Sequence, residues 1–391
     1  MLDIKVTDAM FALLRTVFDD EKTLREEDRA TICENIGQIY AISNRCDMAH
    51  LFGYAMEKQG IISPENEFFS KFQKQQYLAV YRYEGMKYEI ERICFAFERN
   101  GIDFILLKGA ELRSIYPEPW MRTSSDIDIL VKSEDIDRAT EVIMAESGYS
   151  RATDTLHDRS FFSEGNVHIE LHFDLLEEDR ANSASEVLCD VWSHSIPAKE
   201  RKHRYILCDE MFYFYHIAHI AKHVEYAGVG MRPFIDLWLL NHCNNSKSLE
   251  KRAELLSRCG LERFANVCEE LAEHWLGKRA LSETGKKFET FILNCSTYGS
   301  EQNRILLIQD NLGGTNRSVW RRICMPSDQI KFAYPILQRH KWLTPVFQVV
   351  RWCKLLSGKM AKKAINELKI SRSATQEDSR KLKAFMSEIG L

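Results

Sequence analysis

The chain has 391 residues, 45% of them hydrophobic, which is enough for a large core and about two domains. Its 53 Lys+Arg against 57 Asp+Glu leave a formal net charge of −4, which argues against a broad nucleic-acid-binding surface and leaves room only for a local patch in the basic C-terminal third. The 11 cysteines form no C-x-x-C pair, no secretory leader is read at the start, and no apolar run approaches the ~18 residues of a membrane span, so reduced thiols, a cytoplasmic location and no membrane partner are expected.

Residues 1 to about 100 carry helical spacing, ending in a long pattern from Phe68 to Phe97 that Asn100-Gly101 closes. Strand signals begin with the apolar run Ile102 to Leu107. That run ends in Lys108-Gly109-Ala110, followed by a short helical pattern to Tyr116 and by Pro117-Glu118-Pro119. Backbone N–H groups at the start of such a helix are expected to face a phosphate, with Gly109 letting the ligand approach. Lys108 then offers a compact positive charge and Arg122 a forked one. The plainer alternatives are a solvated lysine at the strand end, and an Arg122 salt bridge to Asp126 or Asp128. Ser124 and Ser125 read as phosphate contacts or merely as turn residues.

The run Asp126-Ile127-Asp128-Ile129-Leu130-Val131 follows. On a strand, Asp126 and Asp128 share one face while Ile127 and Ile129 face a core. Two converging carboxylates are costly to bury without a cation, and paired metal ions roughly 3.5–4 Å apart are a common answer. A half-exposed strand with two solvated acids is the alternative. A helix from about Ser133 to Glu146, capped by Ser133 and stopped by Gly148, leads to a second alternating segment, Val167 to Leu175. There His168, Glu170, His172 and Asp174 share a face, and Glu170 is the candidate third carboxylate, holding metal and accepting a proton. His168 and His172 stand four apart, but the period of two and the residue order do not fit an H-E-x-x-H zinc helix.

After about residue 180 helical spacing is expected throughout, over Phe212 to Val224, Phe234 to Leu240, Leu249 to Trp275 and a basic amphipathic tail. His216, His219 and His223 share a helix face and would line a cleft. Asp236, beyond the Gly228-Val229-Gly230 turn, is placed to orient one of them; the alternative is a half-buried helix with satisfied histidines. Residues 370 to 382 read as a linker before a last short helix.

The succession of strand, Lys108-Gly109-Ala110-Glu111-Leu112, helix to Tyr116, Pro117-Glu118-Pro119, Arg122 and Ser125-Asp126-Ile127-Asp128-Ile129-Leu130-Val131 resembles the uncharacterised nucleotidyltransferase family of the DNA polymerase β-like superfamily. Glu170-Leu171-His172, the helix bearing His216 to His223 with Arg232 and Asp236, and the tail Met325-Pro326 with Tyr334-Pro335 fit it less specifically, so the likeness spans most of the chain. Lys108-Gly109-Ala110 stands where the superfamily usually has Gly-Gly or Gly-Ser, and Glu170 where the family commonly has Asp. The resemblance implies an α+β fold: helices at 1–100, a nucleotidyltransferase core at 101–180 with a small mixed sheet, and a helical domain at 181–391. It implies Mg²⁺ or Mn²⁺ on Asp126, Asp128 and Glu170, these three also being the catalytic residues. Nucleotide would be held by Lys108, Gly109, Arg122 and Ser125, and a second substrate placed near His172, His216, His223 and Asp236. The activity expected is transfer of a nucleoside monophosphate from an NTP, ATP or another, to a hydroxyl of a small molecule or protein, with release of pyrophosphate. A non-catalytic nucleotide- or partner-binding module on the same fold is the competing expectation.

Overall fold

A computed structural model describes residues 3–175 except 20, 147 and 156, residues 184–311 except 244–247, 278 and 298, and residues 330, 334, 336–355 and 376–391. The chain opens with four short helices, α1 (Ile4–Phe18), α2 (Glu26–Glu34), α3 (Ile36–Arg45) and α4 (Ala49–Lys58), and then the long α5 (Phe69–Asn100). Gly101, at φ 63°, ends α5 in the left-handed conformation that costs glycine least.

A seven-stranded sheet follows, in the order β3-β4-β5-β2-β1-β7-β6. Its centre is β1 (Phe104–Leu106), antiparallel to β2 (Asp126–Val131), which in turn lies parallel to β5 (His168–His172). Between β2 and β5 run α7 (Ile136–Ala145) and the hairpin of β3 (Ser150–Asp154) and β4 (Asp158–Phe162). One face of the sheet buries Ile127, Ile129, Val131, Ile169 and Leu171 against α5 and α7. The opposite face joins Ile105, Leu107 and Leu130 to a larger core that the N-terminal helices share with the helices of residues 209–277, Phe11 and Phe52 in one cluster with Phe214, Phe234 and Trp275.

Past residue 180, beyond the short α8 (Ala184–Leu188), the helical periodicity is interrupted: β6 (Ser195–Pro197) pairs with β7 (Arg204–Leu207), which adds to β1 in parallel. The strands are short, β6 largely exposed and β7 half-buried, so no long alternating pattern marks them. α9 (Asp209–Tyr226) and α10 (Arg232–Cys243) lie over the site face, but the single helix expected from Leu249 to Trp275 is two, α11 (Leu249–Arg258) and α12 (Glu262–Ala272). Gly260, at φ 66°, breaks them. Ser133 does not cap the helix before Glu146; it opens a 3₁₀ turn, Ser133–Asp135, and α7 has no side-chain cap. The last helix, Gln376–Ile389, takes in residues expected to be linker, while residues 370–375 lie outside the described ones, as do Met325, Pro326 and Pro335. Every described cysteine is a free thiol, and no described helix is long and apolar enough to cross a membrane.

Candidate active site

The parallel register of β2 and β5 sets Asp126 beside His168 and Asp128 beside Glu170. Alternation then turns Asp126, Asp128, His168, Glu170 and His172 to one face, where two overlapping groups form. Ligand atoms of Asp126, His168 and Glu170 lie within 4.8 Å of one another, as do those of Asp128, Glu170 and His172. Glu170 belongs to both.

Asp128 is 2% exposed, yet it accepts from Lys108 Nζ at 2.6 Å and lies 2.9 Å from His172 Nε2. Burial opposes its charge, but Lys108 and His172 outweigh burial and hold the carboxyl well below the usual range. Burial likewise opposes the charged forms of Lys108 and His172, and the surrounding acids push both pKa values up. Glu170 is held down chiefly by its contact with His172. Asp126 goes the other way: burial, reinforced by the charge of Asp128, raises it. Asp128, buried, and Asp126, half-buried and short of positive charge, with Glu170 in reach of both, offer carboxylate oxygens suited to a hard divalent cation, flanked by the imidazoles of His168 and His172 and by the Lys108 ammonium on Asp128.

Lys108 occupies φ 45°, ψ −121°, a conformation uncommon for a residue with a side chain. The helix after it is one turn, α6 (Gly109–Leu112), continued by a 3₁₀ turn at Arg113–Ile115. The amides of Ala110, Glu111 and Leu112 are bonded to the carbonyls of Leu107 and Lys108. The expected cradle of free N–H groups is therefore largely consumed. Gly109 also differs from expectation. A Cβ there would sit 3.0 Å from Ser124 Cβ and 3.3 Å from Arg122 Nη1, so its missing side chain makes room for the protein's own loop.

Arg122 reaches neither Asp126 nor Asp128. Its Nε donates to Asp236 Oδ1 at 2.8 Å, and Tyr116 donates to the same oxygen at 2.7 Å. Asp236, fully buried, thus orients Arg122 and Tyr116 rather than a histidine, and His216 Nε2 meets the carbonyl of Pro233 at 2.8 Å. The loop is clamped from two sides: toward the N-terminal helices Thr123 donates to Asp47 Oδ2 at 2.9 Å and His50 meets the carbonyl of Met121, and from the start of α10 Arg232 donates to Thr123.

A cavity of about 310 Å³ brings together Lys108, Arg122, Ser125, the three acids, His172 and, from α9 and α10, His216, His219, His223 and Asp236. His219 and His223 lie 3.1 Å apart between Nε2 atoms. Burial, then the charge of Lys108, lowers both, His223 to about 4, so the pair stands neutral, one ring donating to the other. Two residues here had no signal in the sequence. Tyr215 lines the cavity, its phenol pushed up by burial. Arg113, 7% exposed, donates from Nε to the Gly109 carbonyl at 2.7 Å and from Nη2 to Ser124 Oγ at 3.0 Å, while among the described residues its buried Nη1 has no partner and no carboxylate pairs with it. An unpaired buried cation is costly.

No curated protein and no solved structure matches the chain. A family model described as uncharacterised nucleotidyltransferase matches residues 33–277, which span β2, β5 and the helices over the site. On that match the chain belongs to the uncharacterised nucleotidyltransferase family.

Proposed function

We propose that the protein is a metal-dependent nucleotidyltransferase that moves a nucleoside monophosphate from an NTP to a hydroxyl of a small molecule or protein, releasing pyrophosphate. The observation that carries this reading is the overlap of the two ligand groups at Glu170, with Lys108 on Asp128. Asp126, Asp128 and Glu170 would hold Mg²⁺ or Mn²⁺, which when bound supplies charge neutralisation along the phosphates and at the attacking oxygen.

The acceptor hydroxyl oxygen attacks the α-phosphorus and forms the new O–P bond. The bond from that phosphorus to the α–β bridging oxygen breaks, and its electron pair leaves with pyrophosphate. Glu170 takes the hydroxyl proton, and His172 beside it stabilises the carboxylate that does so. Lys108 is the side chain placed to meet the β- or γ-phosphate, since the first-turn amides are already bonded. Arg122 and Ser125 flank that path, with Arg122 held rigid by Asp236. His172, His216, His223 and Asp236 sit in the same cavity, which supports a role for the histidines against the second substrate and a positioning role for Asp236. In this reading the catalytic unit is 101–180, completed by β6, β7 and α9 from the helical part that follows and braced by the helices of 1–100.

The test is calorimetric binding of each NTP with and without Mg²⁺, and release of pyrophosphate, for wild type and Asp126→Ala/Asp128→Ala. Metal-dependent binding of one NTP that is lost in the double variant supports the reading. Binding indifferent to metal and to the substitutions overturns it, and metal-dependent binding without pyrophosphate release in the presence of hydroxyl acceptors leaves the non-catalytic module.

A further inference from the structure

A second, larger cavity of about 870 Å³ adjoins the first across Ser124 and Ser125. Arg232 and Thr297 also line both, so the two cavities share one wall, and Asp126, the residue after Ser125, lies on the first cavity's side of it. Its walls are the exposed face of α5, the β4–β5 turn at residues 164–167, and Asp47.

The charges of this cavity divide into two kinds. Each of its arginines faces an acid of the wall: Arg82 and Arg232 meet Asp47, each at 3.3 Å, and Arg92 meets Glu89 at 3.1 Å. Glu89 also accepts from Tyr149. Glu84 and Glu164, by contrast, make no ion pair among the described residues and stand open to the cavity. Tyr81, 76% exposed, lines the same cavity, and among the described residues no cation lies over its ring. Cations within the wall are thus neutralised locally, whereas two acids and an aromatic face are left for whatever enters. A polyphosphate is repelled by that pair and has Lys108 in the first cavity instead. An ammonium group is attracted by the acids and by the ring face.

We infer that this second cavity is the acceptor site, and that the acceptor is an amine-bearing small molecule whose hydroxyl enters the reaction centre past Ser124 and Ser125. The inference rests on the nucleotidyltransferase reading for what the hydroxyl does there, but not for the charge preference of the cavity. Its volume lies within the range of roughly 300–1,000 Å³ usual for small-molecule sites. The paired arginines supply rigid walls, and Glu84, Glu164 and Tyr81 supply the selection.

Three probes share one ring and differ in charge: glucosamine, glucose and glucuronate. Saturation-transfer NMR titrations of each are made on the full chain, first without nucleotide and then with NTP and Mg²⁺. The variants are Glu84→Gln/Glu164→Gln and Tyr81→Ala, whose exposed positions leave the melting temperature unchanged. Glucosamine is expected to bind at least fivefold more tightly than glucose, with glucuronate weakest. The order should collapse in the double variant and weaken in Tyr81→Ala, while the Kd for NTP stays within twofold. Equal affinity or no binding for the three probes on wild type, or an order that survives the double variant, overturns the inference. So does a loss of NTP affinity in these variants, which would put the nucleoside in this cavity. Failure of NTP binding in wild type alone would instead remove the nucleotidyltransferase reading, because the titrations without nucleotide read the cavity by itself.

Discussion

Lys108 Nζ lies 2.6 Å from Asp128 Oδ1, an ion pair in which the carboxylate is 2% exposed and the lysine still touches the cavity. Removing one member of a buried pair costs about 3–5 kcal/mol, because the other is left charged and unmatched. Lys108→Met is therefore expected to lower stability by an amount of that order. Lys108→Met/Asp128→Asn should recover most of it, yet neither variant should bind NTP with better than about a tenth of wild-type affinity, ~1.4 kcal/mol. Denaturant melts and calorimetry on the two variants check this. A double variant as unstable as the single one would contradict a pairwise origin.

Arg113 predicts opposite signs for stability and affinity. Its guanidinium is buried behind Gly109 and Ser124 with no carboxylate on it among the described residues, and burial, then Arg122, lowers its pKa to about 10. Replacing an unpaired buried charge with an apolar side chain of similar length is neutral or favourable to the fold. Arg113→Met should hold or raise the melting temperature while weakening NTP binding about three- to tenfold, on the order of 1 kcal/mol of lost through-space attraction. Arg113→Lys should restore much of the affinity. Unchanged NTP affinity in Arg113→Met would leave the residue a merely structural one.

How far the sequence carried the fold and site follows from which signals are local. Asp126, Asp128 and Glu170 were legible because strand alternation fixes their face without knowledge of anything distant. Gly101 and the end of α5 were legible for a similar reason, a glycine in the left-handed conformation after a long periodic run. The fate of Arg122 was not, because its partner Asp236 is 114 residues away and only tertiary packing selects it over the nearer acids. β6 and β7 escaped because they are three and four residues long and lie at the margin of the sheet, where burial is partial and alternation weak. The role of Gly109 was missed for a different reason: its missing Cβ makes room for Ser124, and no pattern in the chain announces which loop will press against a glycine.

The N-terminal helices share a core with the helices of residues 209–277, and the stack of Phe11 on Trp275, with ring centroids 4.4 Å apart and planes within 10°, is a direct measure of it. Both side chains are fully buried, so Phe11→Ala is expected to cost about 3–5 kcal/mol. Because α1 packs into the same core as α9 and α10, the loss should appear as a shift of the main unfolding transition seen by tryptophan fluorescence. A separate early transition of the N-terminal helices, with the rest unmoved, would show that the shared core does not couple them.

His50 makes the fold sensitive to acid. It is 3% exposed, it lies 2.8 Å from the carbonyl of Met121, and burial pushes its imidazole down to about 4 despite that bond. In the unfolded chain an imidazole titrates near 6.5, so between about 6.5 and 4 the unfolded state binds a proton that the folded state does not. Stability from this residue is complete above 6.5 and falls as the pH drops through that window, by a few kcal/mol at the order-of-magnitude level. The consequence reaches the site, because His50 holds the backbone at Met121, immediately before Arg122. His50→Gln retains an amide donor for Met121 and does not titrate, so its melting temperature should fall less steeply than that of wild type from pH 6.5 to 4.5. Parallel profiles for the two proteins over that range would show that the acid sensitivity lies elsewhere.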